Sequence, residues 1–478
     1  MNAGDYLMRF VLAVPLLLNC ESQSAAFVIP VSRPLPVTLY ARNDNSSSSN
    51  RDTTIASQAA LIAGTTIGGG FLALPAATSP CGAAPAAVGL VGVWLFLLGG
   101  ALSLSNAIFM LKRNSPQKEV GEELDNVSLF SLVRACFGNA AGILVGFVFL
   151  LLIKVTLVAQ LSKIGVLLNA VFPVFSRHVW TAIFSISIAA FCILGTKRRI
   201  ETTNDALTAT MLISFSTLVL FAGGSGWSID GLKRANYNSL LPSSRPWSIP
   251  IFIQLLIYNE VVPLIASRLN DEGKVRKAIM FGSLIPLGMC LTWSCVALGL
   301  VLYEPSLVAS GMIYDPLTIL RDIVLSKGTL VGKAFLVSVN TLAGSAICTT
   351  VIGSMLASTQ YFDDILANMV GGRGRTSDRR ISNVSPDHNS SIQRKILVHA
   401  LALCPSAFVA LLGSSHLYYH ATSFAGEFPC TFLYGLVPPL CNLRLRYMHK
   451  KNEGSKSAIL QIVLVLLSSS IVVNNIFL

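Results

Sequence analysis

Two ionisable residues lie inside long apolar runs of the sequence, where no water stabilises a charge. Glu260 stands at the middle of the run 249–267, and Lys154 lies deep in the run 141–168. A charge at the depth of a bilayer is costly unless it is paired, protonated or wet, so it indicates a functional position by default. We expect Glu260 to bind the coupling proton. We expect Lys154 either to occupy the place of a coupling cation or to pair with Glu260. The alternatives are a packed, hydrogen-bonded Glu260 and a snorkelling or locally paired Lys154.

The run 55–77 carries a group of small residues at its middle. Its members are Gly64, Thr65, Thr66, Gly68, Gly69 and Gly70. Glycine disfavours a helix interior by up to about 1 kcal/mol per residue, so the group predicts a break in the helix. A break within lipid is tolerated only where the freed backbone lines a cavity or is buried in protein. The N–H groups at Gly69 and Gly70 would then suit an anion such as a carboxylate, and close helix packing is the alternative.

A second break is predicted in the run 249–267. Pro263 removes a backbone donor and clashes with the preceding turn, and the polar residues Tyr258 and Asn259 stand just before it. Freed carbonyl groups near Tyr258 would suit an ammonium group. The two breaks together therefore fit a zwitterion, with its carboxylate at the first break and its ammonium group at the second.

These residues are positioned by eleven apolar segments, most of them long enough to cross a bilayer as helices. Segments 1 to 11 are 55–77, 84–111, 141–168, 179–195, 206–222, 249–267, 278–303, 329–357, 396–417, 419–440 and 458–477. The chain of 478 residues is 53% hydrophobic and only 12% charged, with a mean hydropathy of +0.65. Because only internally bonded backbone is stable in lipid, we predict an all-α, polytopic membrane protein embedded in the bilayer.

The basic residues follow a pattern that predicts orientation. The loops after even-numbered segments carry more than three times as many Lys and Arg residues as the loops after odd-numbered segments. This bias places the start of segment 1 on the inner, stromal or cytoplasmic, side. It also explains the net charge of +12 without a nucleic-acid partner. The polar loop 371–395 is predicted to be disordered on the same side.

Segments 1 and 6 are each the first of five. Interrupted segments at matching positions of two halves are the expected sign of inverted repeats with a binding site at mid-membrane. We therefore divide the chain into a first repeat (55–222), a second repeat (249–440) and an additional helix (458–477). The ten cysteines include no CxxC pair, and HExxH and GxSxG motifs are absent from the sequence. We expect neither an enzyme nor a bound metal or organic cofactor.

The N-terminus has the composition of a targeting segment. Residues 1–26 combine a short apolar stretch with a small-residue junction, which is typical of a signal peptide. Residues 27–54 begin with Phe27, are rich in Arg and Ser, and resemble a transit peptide. The combination resembles the bipartite presequences of algae with secondary plastids, so we expect a plastid membrane. An ordinary secretory signal, with a plasma-membrane or endomembrane location, is the alternative.

Five stretches of the sequence resemble the tryptophan/tyrosine permease family, within the amino acid–polyamine–organocation superfamily. They are AGTTIGGGFLALP (63–75), residues 249–263, GSLIP (282–286), TTVIG (349–353) and residues 424–438. The likeness extends along nearly all of 55–447. It implies a leucine-transporter-type fold of 5+5 inverted repeats with one extra helix, and proton-driven symport of aromatic amino acids (Trp, Tyr or Phe). In this fold Thr349 and Thr350 would help to line a cation site beside segment 1.

The chain departs from the family pattern at positions that bear on substrate and coupling. Plant-type members carry His-Asp after the tyrosine of segment 6, where this chain has Asn259 and Glu260. A tyrosine expected in segment 3 is Gln160, which we place in the substrate site. A Na⁺-coupled carrier of neutral amino acids and a non-transporting amino acid sensor therefore stay open as alternatives. The oligomeric state is not indicated.

Overall fold

The computed structural model describes residues 54–114, 128–222, 227–242, 247–300, 330–371, 388–414, 416–448 and 455–477. Every regular element in these ranges is a helix. Continuous apolar runs must form helices in lipid, because each backbone N–H and C=O group needs a partner within its own segment. The predicted signal peptide and all but the last residue of the transit-like stretch lie outside the described ranges.

Within the described ranges each of the eleven apolar segments is helical, and three of them are divided. The bounds are Ile55–Thr66, Gly69–Ala73 and Leu74–Thr78 (segment 1), Ala83–Asn114 (2), Asn139–Val171 (3), Arg177–Leu194 (4), Lys197–Ala222 (5), Ile249–Leu256, Asn259–Val261 and Val262–Leu269 (6), Glu272–Leu300 (7), Leu330–Gly371 (8), His388–Leu412 (9), Leu417–Ala425, Gly426–Leu436 and Val437–Met448 (10) and Ser455–Phe477 (11). The piece Gly426–Leu436 is a π-helix, and the short pieces after the breaks in segments 1 and 6 are 3₁₀-helices.

Seven helical segments among the described residues are long and apolar enough to cross a membrane, and segment 1, bent by 50° at its break, makes eight. The all-α, polytopic membrane fold is therefore confirmed. Segments 5, 10 and 11 are not among these eight. Segment 10 is divided into three pieces, and segment 11 contains the shorter apolar helix Ala458–Asn474. The count of eleven crossings stays a prediction.

The connection between segments 8 and 9 is shorter than the predicted loop 371–395. The helix of segment 8 continues to Gly371, and that of segment 9 begins at His388. A helix that leaves the lipid keeps its backbone bonds while its polar side chains meet water, and Gln, Arg and Lys at 393–395 are good helix formers. The rest of the predicted loop, 372–387, lies outside the described residues.

A short amphipathic helix, Leu129–Phe137, precedes segment 3 and was not predicted. Its N-terminus is closed by a capping box in which the Ser128 and Ser131 side chains bond each other's backbone N–H groups. Its buried residues pack on segment 3 and on the last helix of segment 10. At nine residues it is too short to have appeared among the apolar segments.

Lys154 ties three segments together in the centre of the bundle. Pro405 has no N–H, so the carbonyl of Leu401, one turn earlier in segment 9, loses its helical partner. The ammonium group of Lys154 donates to that carbonyl at 2.8 Å and to the Ser358 hydroxyl of segment 8 at 3.1 Å. It also donates to the carbonyl of Ala402. The side chain is buried, so this bonding substitutes for the water that the charge lacks.

The stretch 227–242 covers the end of segment 1. The guanidinium group of Arg234 donates to the carbonyls of Ser79 and Pro80 at 2.8 and 2.9 Å. Gly82 has φ +85°, and a Cβ at this position would collide with the carbonyl of Arg234. Glycine is needed here for both the left-handed backbone and the close approach. The second half of segment 1 is thereby fixed at its far end.

We predict that Lys154→Met lowers the unfolding temperature of the detergent-purified protein. The substitution keeps an unbranched apolar stem but leaves the Leu401 carbonyl buried without a donor, which costs about 1–3 kcal/mol. Lys333→Met is the matched control, because Lys333 lies on segment 8 with its side chain exposed. Equal unfolding temperatures of the two variants would show that the ammonium group of Lys154 does not hold segments 3, 8 and 9.

Candidate binding cavity

The helix of segment 1 stops at Thr66, as predicted from its glycines. Ile67 and Gly68 are extended, with φ/ψ of −80°/114° and −149°/−168°, and a 3₁₀ turn follows from Gly69. The freed N–H of Gly69 donates to the Thr350 hydroxyl of segment 8 at 2.7 Å. The Thr350 hydroxyl in turn donates to the carbonyl of Ala346 at 2.8 Å. One N–H group of the break is therefore already satisfied by protein.

The helix of segment 6 is also broken, as predicted. It ends at Leu256, Ile257 is extended, and the chain resumes a helix at Val262 with Pro263 in its first turn. Proline is well accommodated in the first turn because the N–H it lacks would have no helical partner there. Pro263 thus begins the second half-helix rather than kinking a continuous one.

Segments 1 and 6 run in opposite directions. The Ser248 hydroxyl, at the start of segment 6, donates to the Ala77 carbonyl near the end of segment 1 at 2.8 Å. Leu255, just before the break in segment 6, lies 3.9 Å from the position that a Cβ of Gly70 would take. Residues before the first break therefore face the same side of the bundle as residues after the second break.

A cavity of about 190 Å³ lies between the two breaks. It brings together most of the residues that the sequence singled out: Gly64, Thr65, Thr66, Gly68, Gly69, Gly70, Gln160, Glu260, Thr349 and Thr350. Segments 1, 3, 5, 6 and 8 all contribute to its walls. The two breaks thus line one space, as the pairing of interrupted segments predicts.

Among the described residues that line this cavity, Glu260 is the ionisable one. It follows Asn259 in the 3₁₀ turn that begins after the break in segment 6. Its carboxyl group is close enough to the Cys430 thiol and the Tyr434 hydroxyl of segment 10 to interact with them electrostatically. Glu260 therefore lies between the cavity and segment 10.

Gln160 reaches the glycine stretch from segment 3. A Cβ at Gly69 would collide with the Gln160 carboxamide oxygen, so glycine is required for this approach. The Gln160 oxygen is buried and has no hydrogen-bond partner among the described residues. A buried acceptor without a donor carries a free-energy penalty that a bound donor would remove. The carboxamide therefore offers an acceptor to a guest in the cavity.

Part of the cavity wall is aromatic. Phe71 and Phe149 line it, beside apolar residues of segments 3 and 6. Phe71 stacks on Trp293 of segment 7, with ring centroids 5.9 Å apart and 17° between planes, and meets the edge of Phe215 at 5.7 Å. These neighbours hold the Phe71 ring in place. The cavity therefore combines freed backbone and polar groups with a rigid apolar surface.

Three predicted site residues do not line the cavity. Asn259 is fully buried, and its amide donates to the carbonyls of Leu97 and Tyr434 at 3.3 and 3.5 Å, which ties segment 6 to segments 2 and 10. Tyr258 is buried on the side of Ser283 in segment 7.

Lys154 is the third of these residues. Its ammonium group bonds segments 8 and 9, so the predicted pairing with Glu260 does not occur.

Sequence reasoning missed several polar residues of the site. Gln254 lines the cavity and accepts from the Cys430 thiol at 2.8 Å, while its amide lies 3.5 Å from the Thr156 hydroxyl. Thr208 and Ser354 add hydroxyl groups from segments 5 and 8. Gln254 could have been found from the sequence, because a glutamine inside an apolar run is a polar residue at membrane depth. Single hydroxyls in transmembrane helices carry no such signal, because they usually bond their own helix.

Comparison of sequences places the whole described bundle in one family. The profile of the tryptophan/tyrosine permease family matches residues 51–477. "Tyrosine-specific transport system 2" of Haemophilus influenzae is 26% identical over 314 residues, which cover 64% of this chain and 72% of that protein. "Tyrosine-specific transport system 1" of the same organism is 24% identical over 319 residues, with 66% and 74% covered.

Solved structures that are similar to this chain include the manganese transporter of Eremococcus coleocola. One mutant of that protein gives a TM-score of 0.48 at 13% identity, with 90% of this chain and 96% of that chain covered. Its complex with an aromatic bis-isothiourea substituted compound gives a TM-score of 0.47 at 13% identity, with 91% and 97% covered.

Proposed function

The chain belongs to the tryptophan/tyrosine permease family, and from this premise we propose that it is a secondary transporter of aromatic amino acids, driven by protons. The observation that carries the proposal is the cavity between two broken, antiparallel segments, with Glu260 in its wall. Freed backbone at mid-membrane is tolerated where it lines such a cavity, and broken helices form the binding sites of many secondary transporters.

The polar side of the cavity suits the head of an amino acid. Carbonyl groups freed at the second break, the Gln160 carboxamide and the Glu260 carboxylate are all acceptors for an ammonium group. The backbone N–H groups of the glycine stretch are the complementary donors for a carboxylate. Because Gly69 already donates to Thr350, the carboxylate would bind beside that hydrogen bond or replace it.

The apolar side of the cavity favours an aromatic side chain. Aromatic rings pack well on the faces and edges of other rings, and Phe71 and Phe149 offer such surfaces. The two tyrosine-specific transport systems of Haemophilus influenzae support the same substrate class. We therefore place tyrosine, tryptophan and phenylalanine ahead of smaller neutral amino acids.

Proton coupling is proposed because Glu260 is an acid at mid-membrane depth. A carboxyl group in this position is neutral when protonated and compensates an ammonium group when it is not, so substrate and proton occupancy would depend on each other. Transport would then follow alternating access, with the repeats 55–222 and 249–440 exposing the cavity to each side in turn. Thr349 and Thr350 are the hydroxyls that a Na⁺-coupled mechanism would use instead.

We predict that Glu260→Gln lowers the rate of pH-driven tyrosine uptake into proteoliposomes at least about ten-fold. The reason is that a carboxamide cannot take up and release the proton. Substrate exchange across the membrane without a gradient should persist. Glu201→Gln is the control, since Glu201 is an exposed residue near the start of segment 5. Full pH-driven uptake by Glu260→Gln would remove this residue from coupling.

Uptake that instead follows a Na⁺ gradient in the wild type would favour the Na⁺-coupled carrier, and tyrosine binding without flux would favour a sensor.

We predict that Gly69→Val prevents tyrosine binding, because the branched side chain collides with Gln160 and fills the glycine stretch. The measurement is a binding isotherm with purified protein. Gly92→Val is the control, because a Cβ at Gly92 meets no atom within 4 Å. Unchanged affinity in a folded Gly69→Val protein would mean that the stretch serves only to pack helices.

We further predict that residues 1–54, fused to a fluorescent protein, direct it to the plastid of an alga that has secondary plastids. The proposal rests on the signal-like stretch 1–26 followed by Phe27 and an Arg- and Ser-rich sequence. A fusion lacking residues 27–54 is the control and should stop in the secretory pathway. Secretion of the complete fusion would favour a plasma-membrane or endomembrane location.

A further inference from the structure

The glycine stretch of segment 1 is held from a second side by segment 10. The hydroxyl of Tyr418 donates to the carbonyl of Gly69 at 2.7 Å and lies 3.3 Å from that of Gly70. Tyr418 is fully buried. The Thr350 hydroxyl of segment 8 accepts from the N–H of Gly69. Segments 8 and 10 therefore bond the same stretch of backbone, one at an N–H group and the other at carbonyl groups.

Tyr418 is itself set by a buried cation. The ammonium group of Lys163 lies 5.3 Å from the ring centroids of both Tyr418 and Tyr419, and 3.5 Å from the hydroxyl of Tyr419. The two rings meet edge to face, with centroids 5.0 Å apart. Lys163 is only 6% exposed, so its attraction to the ring faces acts at low dielectric. The position of the Tyr418 ring is therefore fixed by two neighbours.

This cluster lies just beyond the cavity lining, at one end of it. Along segment 3 the cavity wall runs from Phe149 to Gln160, and Lys163 follows one turn later. Along segments 1 and 6 the wall includes Gly64, before the first break, and Leu264, after the second. These last two residues face the same side of the bundle because the segments are antiparallel. Along segment 6 the lining reaches from Gln254 to Leu264, and so further toward the side on which segment 1 begins, whereas Tyr418 bonds the glycine stretch from outside the lining.

We propose that the Tyr418 hydroxyl is a latch: it holds the glycine stretch of segment 1 on segment 10 while the cavity faces the side on which segment 1 begins, and it must release for the cavity to face the opposite side. Lys163 is a positioning residue that holds the ring of Tyr418. The inference rests on the proposed transport function, since only alternating access requires the contact to open.

Hydrogen exchange tests the latch without any substrate. In wild-type protein and in Tyr418→Phe, backbone exchange is followed by mass spectrometry for a peptide that covers residues 63–75. Loss of the hydroxyl should speed exchange in this peptide about five-fold, the effect of one net hydrogen bond. Tyr447→Phe is the matched control, because Tyr447 lies on the last helix of segment 10 with its side chain exposed. Equal exchange in Tyr418→Phe, Tyr447→Phe and wild type would overturn the proposal.

Transport from the two sides gives a second, independent measurement. In oriented proteoliposomes, Tyr418→Phe should lower the KM for tyrosine about five-fold on the side where segment 1 ends and raise it on the other side. A residue that only supports the fold would change the two values in the same direction. Parallel changes would therefore count against the latch, whatever the exchange data show.

Lys163 is tested through a double-mutant cycle. Lys163→Met should speed exchange in the same peptide, Lys163→Arg should restore it in part, and Tyr418→Phe should add little once Lys163 is Met, because both act through one hydroxyl. Additive effects would remove Lys163 from the latch. Should Tyr418→Phe fail to fold, Lys163→Met is the variant on which the exchange result decides.

The two proposals fail in different ways. Wild-type protein that carries no amino acid leaves the exchange measurement intact and overturns the function. Wild-type protein that transports tyrosine, with Tyr418→Phe indistinguishable from it on both sides, overturns the latch alone.

Discussion

The constraint on which the structure depends is that every backbone group freed inside the lipid needs a partner. Segments 1 and 6 give up helical bonds at their middles, and segment 9 gives up one at Pro405. At the first and third of these places the partner is a side chain from a distant part of the sequence. Thr350 satisfies the N–H of Gly69, and Lys154 satisfies the carbonyl of Leu401. Backbone groups that lose their helical partners therefore form hydrogen bonds between segments instead.

The side chains that satisfy these freed backbone groups form hydrogen bonds of different strength, and the stronger bonds lie outside the cavity. Lys154 directs one ammonium group to carbonyls of segment 9 and to a hydroxyl of segment 8, in a buried site away from the cavity. Hydrogen bonds to a charged donor are stronger than those between neutral groups. The glycine stretch is held instead by the neutral hydroxyls of Thr350 and Tyr418. A charged tie thus joins segments 3, 8 and 9, while weaker ties hold the part of segment 1 that borders the cavity.

The sequence predicted the breaks because glycine and proline act locally on the helix, whichever residues surround them. It did not predict which way each polar residue faces. Tyr258, Asn259 and Glu260 are consecutive, so their side chains point in different directions, and only Glu260 reaches the cavity. A polar residue in an apolar run indicates depth, whereas its direction depends on neighbours such as the carbonyl of Leu97. The partner of Lys154 was likewise out of reach, because it is created by a proline some 250 residues later.

The position of Glu260 follows from the same constraint. A charged group beside freed backbone must be compensated by a guest, a proton or water, because the groups that line the described cavity are otherwise neutral. A zwitterion in this space brings an ammonium group that the carboxylate compensates and a carboxylate that needs donors of its own. Since freed N–H groups belong to the first break and Glu260 follows the second, the two ends of such a guest would be separated by the width of the cavity. Among the described residues, segment 6 contributes one acid to the cavity wall and segment 1 contributes none. This uneven distribution of charge would orient a bound amino acid in one direction.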